Sequence, residues 1–355
     1  IVVFMSMTII VCDLPAYATW GYRLDAGPLR YLSSPTEAMA SVSHLPVFWI
    51  GLGWLILIVS VLRLLNRYIQ RSPELLNRPK KLLSTYALLF FLLSIHIIPI
   101  RGGLQLAPMN QSSVYFSQKA FANHAAVNVT WNFFNSLTED YDRGTNPFIY
   151  MDNAHAKNIC DSIFHSNNDT ISLIRPGLKP NVIVIVWESG TQKVVNQTYE
   201  GIPITPYFSK LMQEGVYFSN IYATGDRTDK GIVGVLSGYP AQPVTSIIKN
   251  PTKSAKLPTL PQEFIKQSYQ TSFTYGGELE FANMKSYLMG CGFDQFTSKD
   301  QFSEKDQNSK WGAHDGVVAD TLLHHLRKMK VPFFSTWLTL SSHEPFETPV
   351  KPVFT

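Results

Sequence analysis

Charged residues are scarce in this sequence. Lys, Arg, Asp and Glu make up 16% of its 355 residues, against about 25% in soluble proteins, and this shortage in an apolar chain excludes intrinsic disorder. The surplus of 30 basic over 26 acidic residues is too small to indicate a nucleic-acid partner. Cysteine is also rare, because only Cys12, Cys160 and Cys291 occur. Their spacing argues against a disulfide scaffold and against a structural zinc site, although it leaves open whether Cys160 and Cys291 pair.

Long apolar runs occupy the first hundred residues. Residues 45–62 and 82–100 contain no Lys, Arg, Asp or Glu, and each run is long enough as a helix to cross a bilayer core about 30 Å thick. A third run, residues 1–12, has neither an initiator Met nor the basic region of a signal peptide. We interpret it as the end of a helix that begins outside this sequence. The sequence thus predicts membrane helices at about 1–12 (partial), 45–65 and 82–100.

Basic residues concentrate between the two long runs. Residues 63–81 carry six of them against a single acidic residue, Glu74, and the positive-inside rule places such a connection in the cytoplasm. The chain after Ile100 is then expected outside the cytoplasm. The basic residues are Arg63, Arg67, Arg71, Arg78, Lys80 and Lys81.

The second half of the chain has an α/β pattern. Residues 101–179 are polar and predict a juxtamembrane connector, with the best helical candidate at 120–137. From residue 180, apolar strand patterns alternate with helical ones, which is typical of a mainly parallel sheet. Residues 181–187 (NVIVIVW) predict a strand buried on both faces. Further strands are expected at 216–221, 271–275 and 333–340.

Three polar residues lie at the ends of these predicted elements. Glu188 comes directly after the first strand, His343 follows the strand at 333–340, and Thr228 precedes an apolar helical run. Ligand sites in such sheets form beyond the carboxyl ends of the strands, and free N–H groups at the start of a helix suit phosphate. The structural alternative is that Thr228 only caps its helix. His314 and Asp315 are interpreted as a separate, structural loop feature.

Four motifs resemble the lipoteichoic acid synthase-like branch of the sulfatase and alkaline phosphatase superfamily. They are NVIVIVWESG, ITPYFSKLMQEGVYFSNIYATGDRTDKGIVGVLSGYP, TYGGELEFANMKSYLMGCGFDQF and FFSTWLTLSSHEPF. The resemblance implies a sulfatase-like α/β domain over residues 180–355 that follows α-helical transmembrane segments in the sequence. It also implies a multi-pass protein of the bacterial cell (inner) membrane whose catalytic domain is extracytoplasmic.

The resemblance also implies a reaction. It indicates a metal-dependent transferase that moves a phosphoglycerol-type group from a phospholipid to a cell-envelope glycan or lipid acceptor. Thr228 matches the nucleophile and a metal ligand, Glu188 matches a metal ligand, and His343 matches the substrate-binding histidine. Arg227, beside the nucleophile, is a further candidate for substrate binding. The expected cofactor is a divalent metal, first manganese and otherwise magnesium or zinc, because oxygen ligands suit hard cations.

Two departures from the family pattern affect these expectations. The resemblance places an Asp-His pair of metal ligands beyond Thr355, so we expect the domain to be truncated at its C-terminus in this sequence. In the synthases, a tryptophan and an arginine bind the glycerol phosphate headgroup, whereas this chain has Ala282 and Met284 at those positions.

Alternative functions remain open at this point. A phosphoethanolamine transferase or another phosphodiesterase of the superfamily shares the same plan, and so does a catalytically inactive membrane protein. A true sulfatase would need a Cys or Ser in a C/S-x-P-x-R context, which the sequence lacks.

The membrane topology is directly testable. A reporter that is active only outside the cytoplasm should be inactive when fused after Arg78 and active when fused after Gly103, because the basic connection stays in the cytoplasm. An inactive fusion at Gly103 would contradict both the topology and a substrate at the cell surface.

Overall fold

The computed structural model describes residues 2–29, 45–71, 82–104, 108–138, 149–163, 165, 175, 177–242 and 245–350. The chain divides into two compact units. One unit comprises Ile1–Ile100 with Phe121–Leu178, and the other comprises Arg101–Ala120 with Lys179–Thr355. The predicted connector is thus divided between the two units. Residues 72–81, which hold three of the six basic residues of the predicted cytoplasmic connection, lie outside the described residues.

The first unit is helical in its described parts. Three stretches are long and apolar enough to span a membrane, namely Val2–Trp20, Val47–Gln70 and Leu83–Arg101. Most of their side chains are exposed, as expected of helices whose apolar surface faces lipid. The helices up to residue 163 are α1 Val2–Trp20, α2 Val47–Gln70, α3 Leu82–Ile95, α4 Ile97–Arg101, α5 Ala120–Ala126, α6 Val129–Thr138 and α7 Asn153–Ile163.

Two of these helices differ from the predicted bounds. Helix α1 continues to Trp20 instead of ending near Cys12. Its polar residue Asp13 is accommodated because the carboxylate pairs with Arg23 and accepts a hydrogen bond from the Leu24 N–H (2.8 Å). The predicted helix at 120–137 is interrupted at residues 127–128 and forms α5 and α6.

The second unit contains the predicted parallel sheet. Its strand order is β1-β6-β4-β5, and all three pairings are parallel. A separate two-stranded antiparallel sheet is formed by β2 and β3. The strands are β1 Val182–Val186, β2 Thr198–Tyr199, β3 Ile202–Pro203, β4 Gln270–Tyr275, β5 Gln295–Thr297 and β6 Phe333–Leu338.

Helices and short 3-10 turns connect these strands. The helices of this part are α8 Pro206–Glu214, α9 Thr228–Ser237, α10 Pro251–Ser254, α11 Leu260–Lys266, α12 Met284–Gly290 and α13 Asp315–Leu326. The 3-10 turns lie at Gln111–Val114, Gln192–Val194, Ile247–Lys249, Phe281–Asn283 and Lys299–Gln301.

Aromatic rings fill the core against the sheet. Phe334 of β6 is fully buried and stacks on Phe264 of α11, with ring centroids 4.4 Å apart. Phe293 lies between Phe334 and Phe273 of β4, at 6.3 and 5.5 Å. This cluster holds the central strands β6 and β4 together, and their carboxyl ends point to one edge of the sheet.

The predicted strand at 216–221 is wrong. These residues form neither helix nor strand, although the run is rich in residues that favour strands. Val216 and Phe218 are 63% and 59% exposed, and no described strand pairs with them. A strand requires a hydrogen-bonding neighbour, which the composition of a short run does not reveal.

The aromatic core makes a prediction for stability. Phe334→Ala should lower the free energy of unfolding by about 3–5 kcal/mol, because a buried ring is replaced by a cavity. The expected burial of β1 on both faces is wrong, because β1 is the first strand in the order and Ile185 is 57% exposed. The matched control is therefore Ile185→Ala, which should have a much smaller effect. Pulse proteolysis of the full chain in detergent across a urea series measures both, and equal effects would contradict this description of the core.

Candidate active site

The site begins where β1 and β6 end. The Thr339 N–H donates to the carbonyl of Val186 at 3.0 Å, and the Glu188 N–H donates to Thr339 Oγ1 at 2.9 Å. These two bonds tie the segment after β1 to the segment after β6. Glu188 is thereby held at the carboxyl edge of the sheet, and His343 follows Thr339 by four residues.

Thr228 contacts Glu188 directly. It is the first residue of α9, and its Oγ1 donates a hydrogen bond to Glu188 Oε2 at 2.8 Å. The cap position belongs to Arg227, whose carbonyl accepts hydrogen bonds from the N–H groups of Lys230 and Gly231. The alternative in which Thr228 merely caps its helix is therefore wrong, because its hydroxyl binds a carboxylate from another element. Residues that are 40 positions apart in sequence form this pair.

His343 is fixed by Trp311 and by its own loop. The two rings lie 4.7 Å apart between centroids, and Trp311 Nε1 donates to the Glu344 carbonyl at 2.7 Å. His343 Nδ1 lies 2.8 Å from the same carbonyl. A carbonyl only accepts, so Nδ1 carries the hydrogen and Nε2 is the ring nitrogen available to a ligand.

These residues surround one pocket of about 190 Å³. The structure therefore brings together Thr228, Glu188 and His343, which the sequence had singled out. Arg227 is exposed and is not among the lining residues, so its role in substrate binding stays a prediction. The pocket is lined by Glu188, Thr228, Tyr275, Glu278, Phe281, Met284, Trp311 and His343.

Tyr275 and Glu278 are site residues that the sequence analysis did not single out. Tyr275 ends β4, and Glu278 follows it and pairs with Lys299 (3.0 Å). Burial raises the pKa of the Tyr275 phenol, and the negative charges of Glu188, Asp315 and Glu278 raise it further. The position of Tyr275 at the carboxyl end of a predicted strand was a usable signal, since Glu188 was found by the same reasoning.

A close crossing of two glycines brings Trp311 to the pocket. The Ala313 N–H donates to the Gly276 carbonyl at 3.0 Å. A Cβ on Gly276 would lie 2.4 Å from the Ala313 carbonyl oxygen, and Gly312 has a φ of +150°. Glycine is therefore required at both positions. No short-range pattern predicts this crossing, so the sequence analysis missed Trp311.

The opposite wall rests on residues that precede the sheet domain in sequence. Asn110 Nδ2 donates to the Glu280 carbonyl at 2.6 Å, and Ser112 Oγ donates to Asn283 Oδ1 at 3.3 Å. The Ser286 N–H in turn donates to Ser112 Oγ at 3.0 Å. This network supports the short segment that carries Phe281 and Met284 into the pocket.

Asp315 connects α13 to the loop that carries His343. Its carboxylate accepts hydrogen bonds from the backbone N–H groups of Leu340 (2.7 Å) and Ser341 (2.9 Å). The Asp315 N–H donates to Ser341 Oγ at 2.9 Å. His314 is buried beside it. These contacts fit the structural role expected of Asp315, but the expectation of a separate loop feature is wrong, because Asp315 holds the loop that carries His343.

The pocket supplies some, but not all, of the oxygen ligands that a hard divalent cation requires. A carboxylate of Glu188 and the hydroxyl of Thr228 are oxygen donors at one point, and such donors suit manganese or magnesium. Among the residues that the structure describes, no group of three or more His, Cys, Asp and Glu side chains is arranged to hold a metal ion. The described residues thus supply two oxygen donors for the cation that the resemblance implies.

A known protein family matches the part of the chain that contains the sheet. The family model described as Sulfatase matches residues 180–353, which confirms the sulfatase-like fold class expected from the motifs. The lipoteichoic acid synthase-like protein YvgJ of Bacillus subtilis is 25% identical over 175 residues, 48% of this chain and 28% of that protein. The lipoteichoic acid synthase of Staphylococcus aureus (strain bovine RF122 / ET3-1) is 28% identical over 177 residues, 47% of this chain and 27% of that protein. The match thus spans little more than a quarter of either relative.

Two solved structures are also similar. A protein in the alkaline phosphatase superfamily from Vibrio parahaemolyticus is 34% identical with a TM-score of 0.45, over 50% of this chain and 44% of that one. The lipoteichoic acid synthase LtaP from Listeria monocytogenes is 22% identical with a TM-score of 0.44, over 48% of this chain and 43% of that one.

The Asp315 contacts generate a prediction. Asp315→Ala should lower the free energy of unfolding by about 1–3 kcal/mol, because two N–H groups lose their acceptor, and it should speed amide hydrogen exchange at Leu340 and Ser341. Asp320→Ala, at an exposed position of the same helix, is the control and should change neither quantity. Unchanged exchange at these two amides in the Asp315 variant would show that the carboxylate does not hold the His343 loop.

Proposed function

We propose that this chain, whose domain over residues 180–353 belongs to the sulfatase family, is a membrane-bound phosphotransferase. In this proposal Thr228 is the nucleophile. The observation that carries the proposal is the hydrogen bond from Thr228 Oγ1 to Glu188 Oε2 inside the pocket. The finer proposal is transfer of a phosphoglycerol-type group from a phospholipid to a cell-envelope glycan or lipid acceptor. The relatives named as lipoteichoic acid synthases support this choice of group.

The proposed reaction has two displacements. In the first, Thr228 Oγ1 bonds to the phosphorus of the donor headgroup, the bond from phosphorus to the diacylglycerol oxygen breaks, and the proton of the Thr228 hydroxyl is transferred to that leaving oxygen. In the second, a hydroxyl of the acceptor bonds to the same phosphorus, the bond to Thr228 breaks, and the acceptor's hydroxyl proton is transferred to Thr228 Oγ1. Such a covalent intermediate divides one difficult transfer into two easier steps.

The side chains around Thr228 have distinct proposed roles. Glu188 orients the hydroxyl through the bond to Oε2, and both residues would hold the divalent cation. When bound, such a cation lowers the pKa of the hydroxyl and stabilises charge on the phosphoryl oxygens. His343 contacts the phosphoryl group through Nε2 when its ring is protonated, since Nδ1 is committed to the Glu344 carbonyl. Arg227 would bind the substrate from the exposed side.

The membrane helices fit this function. Three helices are long and apolar enough to span a bilayer, and a phospholipid donor is itself a component of the bilayer. The proposed orientation places the sheet domain outside the cytoplasm, on the side where envelope polymers are assembled.

A second candidate function is transfer of phosphoethanolamine. It is favoured by the part of the pocket that Glu278, Phe281, Met284 and Trp311 line. Met284 stands where the resembling synthases have an arginine, and the carboxylate of Glu278 lines the same pocket. A carboxylate beside the aromatic rings of Phe281 and Trp311 suits an ammonium group. The two candidates differ in the mass of the group that Thr228 would carry.

The nucleophile is tested by intact-protein mass spectrometry. The full chain in detergent is incubated with vesicles that contain either phosphatidylglycerol or phosphatidylethanolamine, with manganese present. A phosphoglycerol or phosphoethanolamine adduct is expected on Thr228, and Thr228→Ala should abolish it while leaving the fold unchanged. Thr228→Ser should keep a reduced level, because it keeps a hydroxyl at the same place.

Thr198→Ala, at an exposed position of β2, is the matched control and should form the adduct as the unchanged protein does. An adduct of undiminished amount in Thr228→Ala would refute the proposed nucleophile. An adduct with the mass of phosphoethanolamine alone would select the second candidate.

A further inference from the structure

The pocket has an unusual balance of charge for a phosphate site. Its lining residues include two carboxylates, Glu188 and Glu278, and no Lys or Arg. A phosphodiester is an anion, so it needs hydrogen-bond donors or positive charge around its oxygens. A cation near Glu188 supplies part of this requirement, and the remainder falls to the uncharged side chains of the pocket.

Most N–H and O–H donors of the pocket are already committed. The Thr228 hydroxyl donates to Glu188, and Trp311 Nε1 donates to the Glu344 carbonyl. His343 Nδ1 donates to the same carbonyl, and its Nε2 is an acceptor when the ring is neutral. Among the side-chain donors that line the pocket in the part of the chain that the structure describes, the Tyr275 hydroxyl is the one without a hydrogen bond, and the backbone N–H groups at the start of α9 are further donors.

The position of Tyr275 is well determined. It is the last residue of β4 and pairs with Leu338 of β6, so the sheet fixes its backbone. Its ring lies over Gly277, where an added Cβ would come within 2.7 Å of the ring carbons and 2.8 Å of the hydroxyl oxygen. The raised pKa keeps the phenol protonated, and a protonated phenol can donate.

We propose that the Tyr275 hydroxyl donates a hydrogen bond to the phosphoryl group bound in the pocket, in the place where a basic side chain would otherwise stand. The proposal deepens the function proposed above, since it concerns the same substrate anion. Tyr275 is then a substrate-binding residue that acts on any headgroup, because it contacts the phosphoryl group and not the alcohol part.

The test measures binding of inorganic phosphate to the full chain in detergent, with magnesium present, by isothermal titration calorimetry. Tyr275→Phe keeps the ring over Gly277 and removes only the hydroxyl. It should weaken phosphate binding about 10- to 100-fold, as expected for a hydrogen bond to a charged group. The adduct on Thr228 should form more slowly by a similar factor, with phosphatidylglycerol and phosphatidylethanolamine alike.

Tyr287→Phe is the matched control. Its phenol is also buried, and it bonds to Ser237 at 2.6 Å in the core, away from the pocket. This variant should lose stability and keep its phosphate affinity. The comparison separates loss of a buried hydroxyl from loss of a ligand contact.

A second variant reaches the same hydroxyl from another position. Gly277→Ala must displace the Tyr275 ring, so it too should weaken phosphate binding, and it replaces Tyr275→Phe if that protein is degraded by protease. Unchanged phosphate affinity in a folded variant, or no phosphate binding by the unchanged protein, would overturn the proposal. A third outcome is that the variants bind phosphate more weakly while the unchanged protein forms no adduct on Thr228. This outcome would support the Tyr275 contact and refute Thr228 as the nucleophile.

Discussion

In the parallel pairing of β1 with β6, Val186 lies opposite Leu338, so the segments that follow these two strands leave the sheet at the same edge. Everything in the pocket depends on this constraint. The next residues are tied across the gap by the hydrogen bonds of Thr339 with Val186 and Glu188. A shift of one residue in this register would turn each side chain to the other face of the sheet. Glu188 would then no longer meet the Thr228 hydroxyl.

A close backbone crossing and side-chain bonds to backbone groups together bring the remaining walls to this edge. The crossing of Gly276 and Gly312 allows two loops to approach more closely than any Cβ permits. The Asp315 carboxylate also fixes a loop, because it accepts the hydrogen bonds of the Leu340 and Ser341 N–H groups. In a sheet, a neighbouring strand would accept these bonds. The loop with His343 is consequently held without secondary structure of its own. Helices and strands thus position the loops that carry site residues, as is usual where binding residues lie on loops.

The sequence predicted those parts of the site that follow strands. Glu188 and His343 were found because polar residues directly after apolar runs lie at the ligand-binding edge of a parallel sheet, and Thr228 was found because it precedes an apolar helix. Trp311 was not predictable, since its place depends on the glycine crossing. The strand expected at 216–221 failed for a related reason. Composition favours a strand there, but a strand also requires a partner, and partners are set by the tertiary fold.

The charge of the pocket links these observations to the chemistry. The hydrogen bond from Thr228 to Glu188 stabilises the neutral alcohol, which is a weak nucleophile. A second carboxylate, Glu278, is compensated by Lys299, and that lysine is not among the lining residues. The lining of the pocket thus holds two carboxylates and no fixed positive side chain among the residues that the structure describes. Under the proposed function, positive charge for the anion would come from a cation at Glu188, from a protonated His343 or from Arg227 outside the lining, and uncharged donors such as Tyr275 gain weight where fixed cations are few. Under the proposed function, selectivity among phospholipid donors would depend on the part of the pocket lined by Phe281, Met284 and Trp311, which present apolar surface.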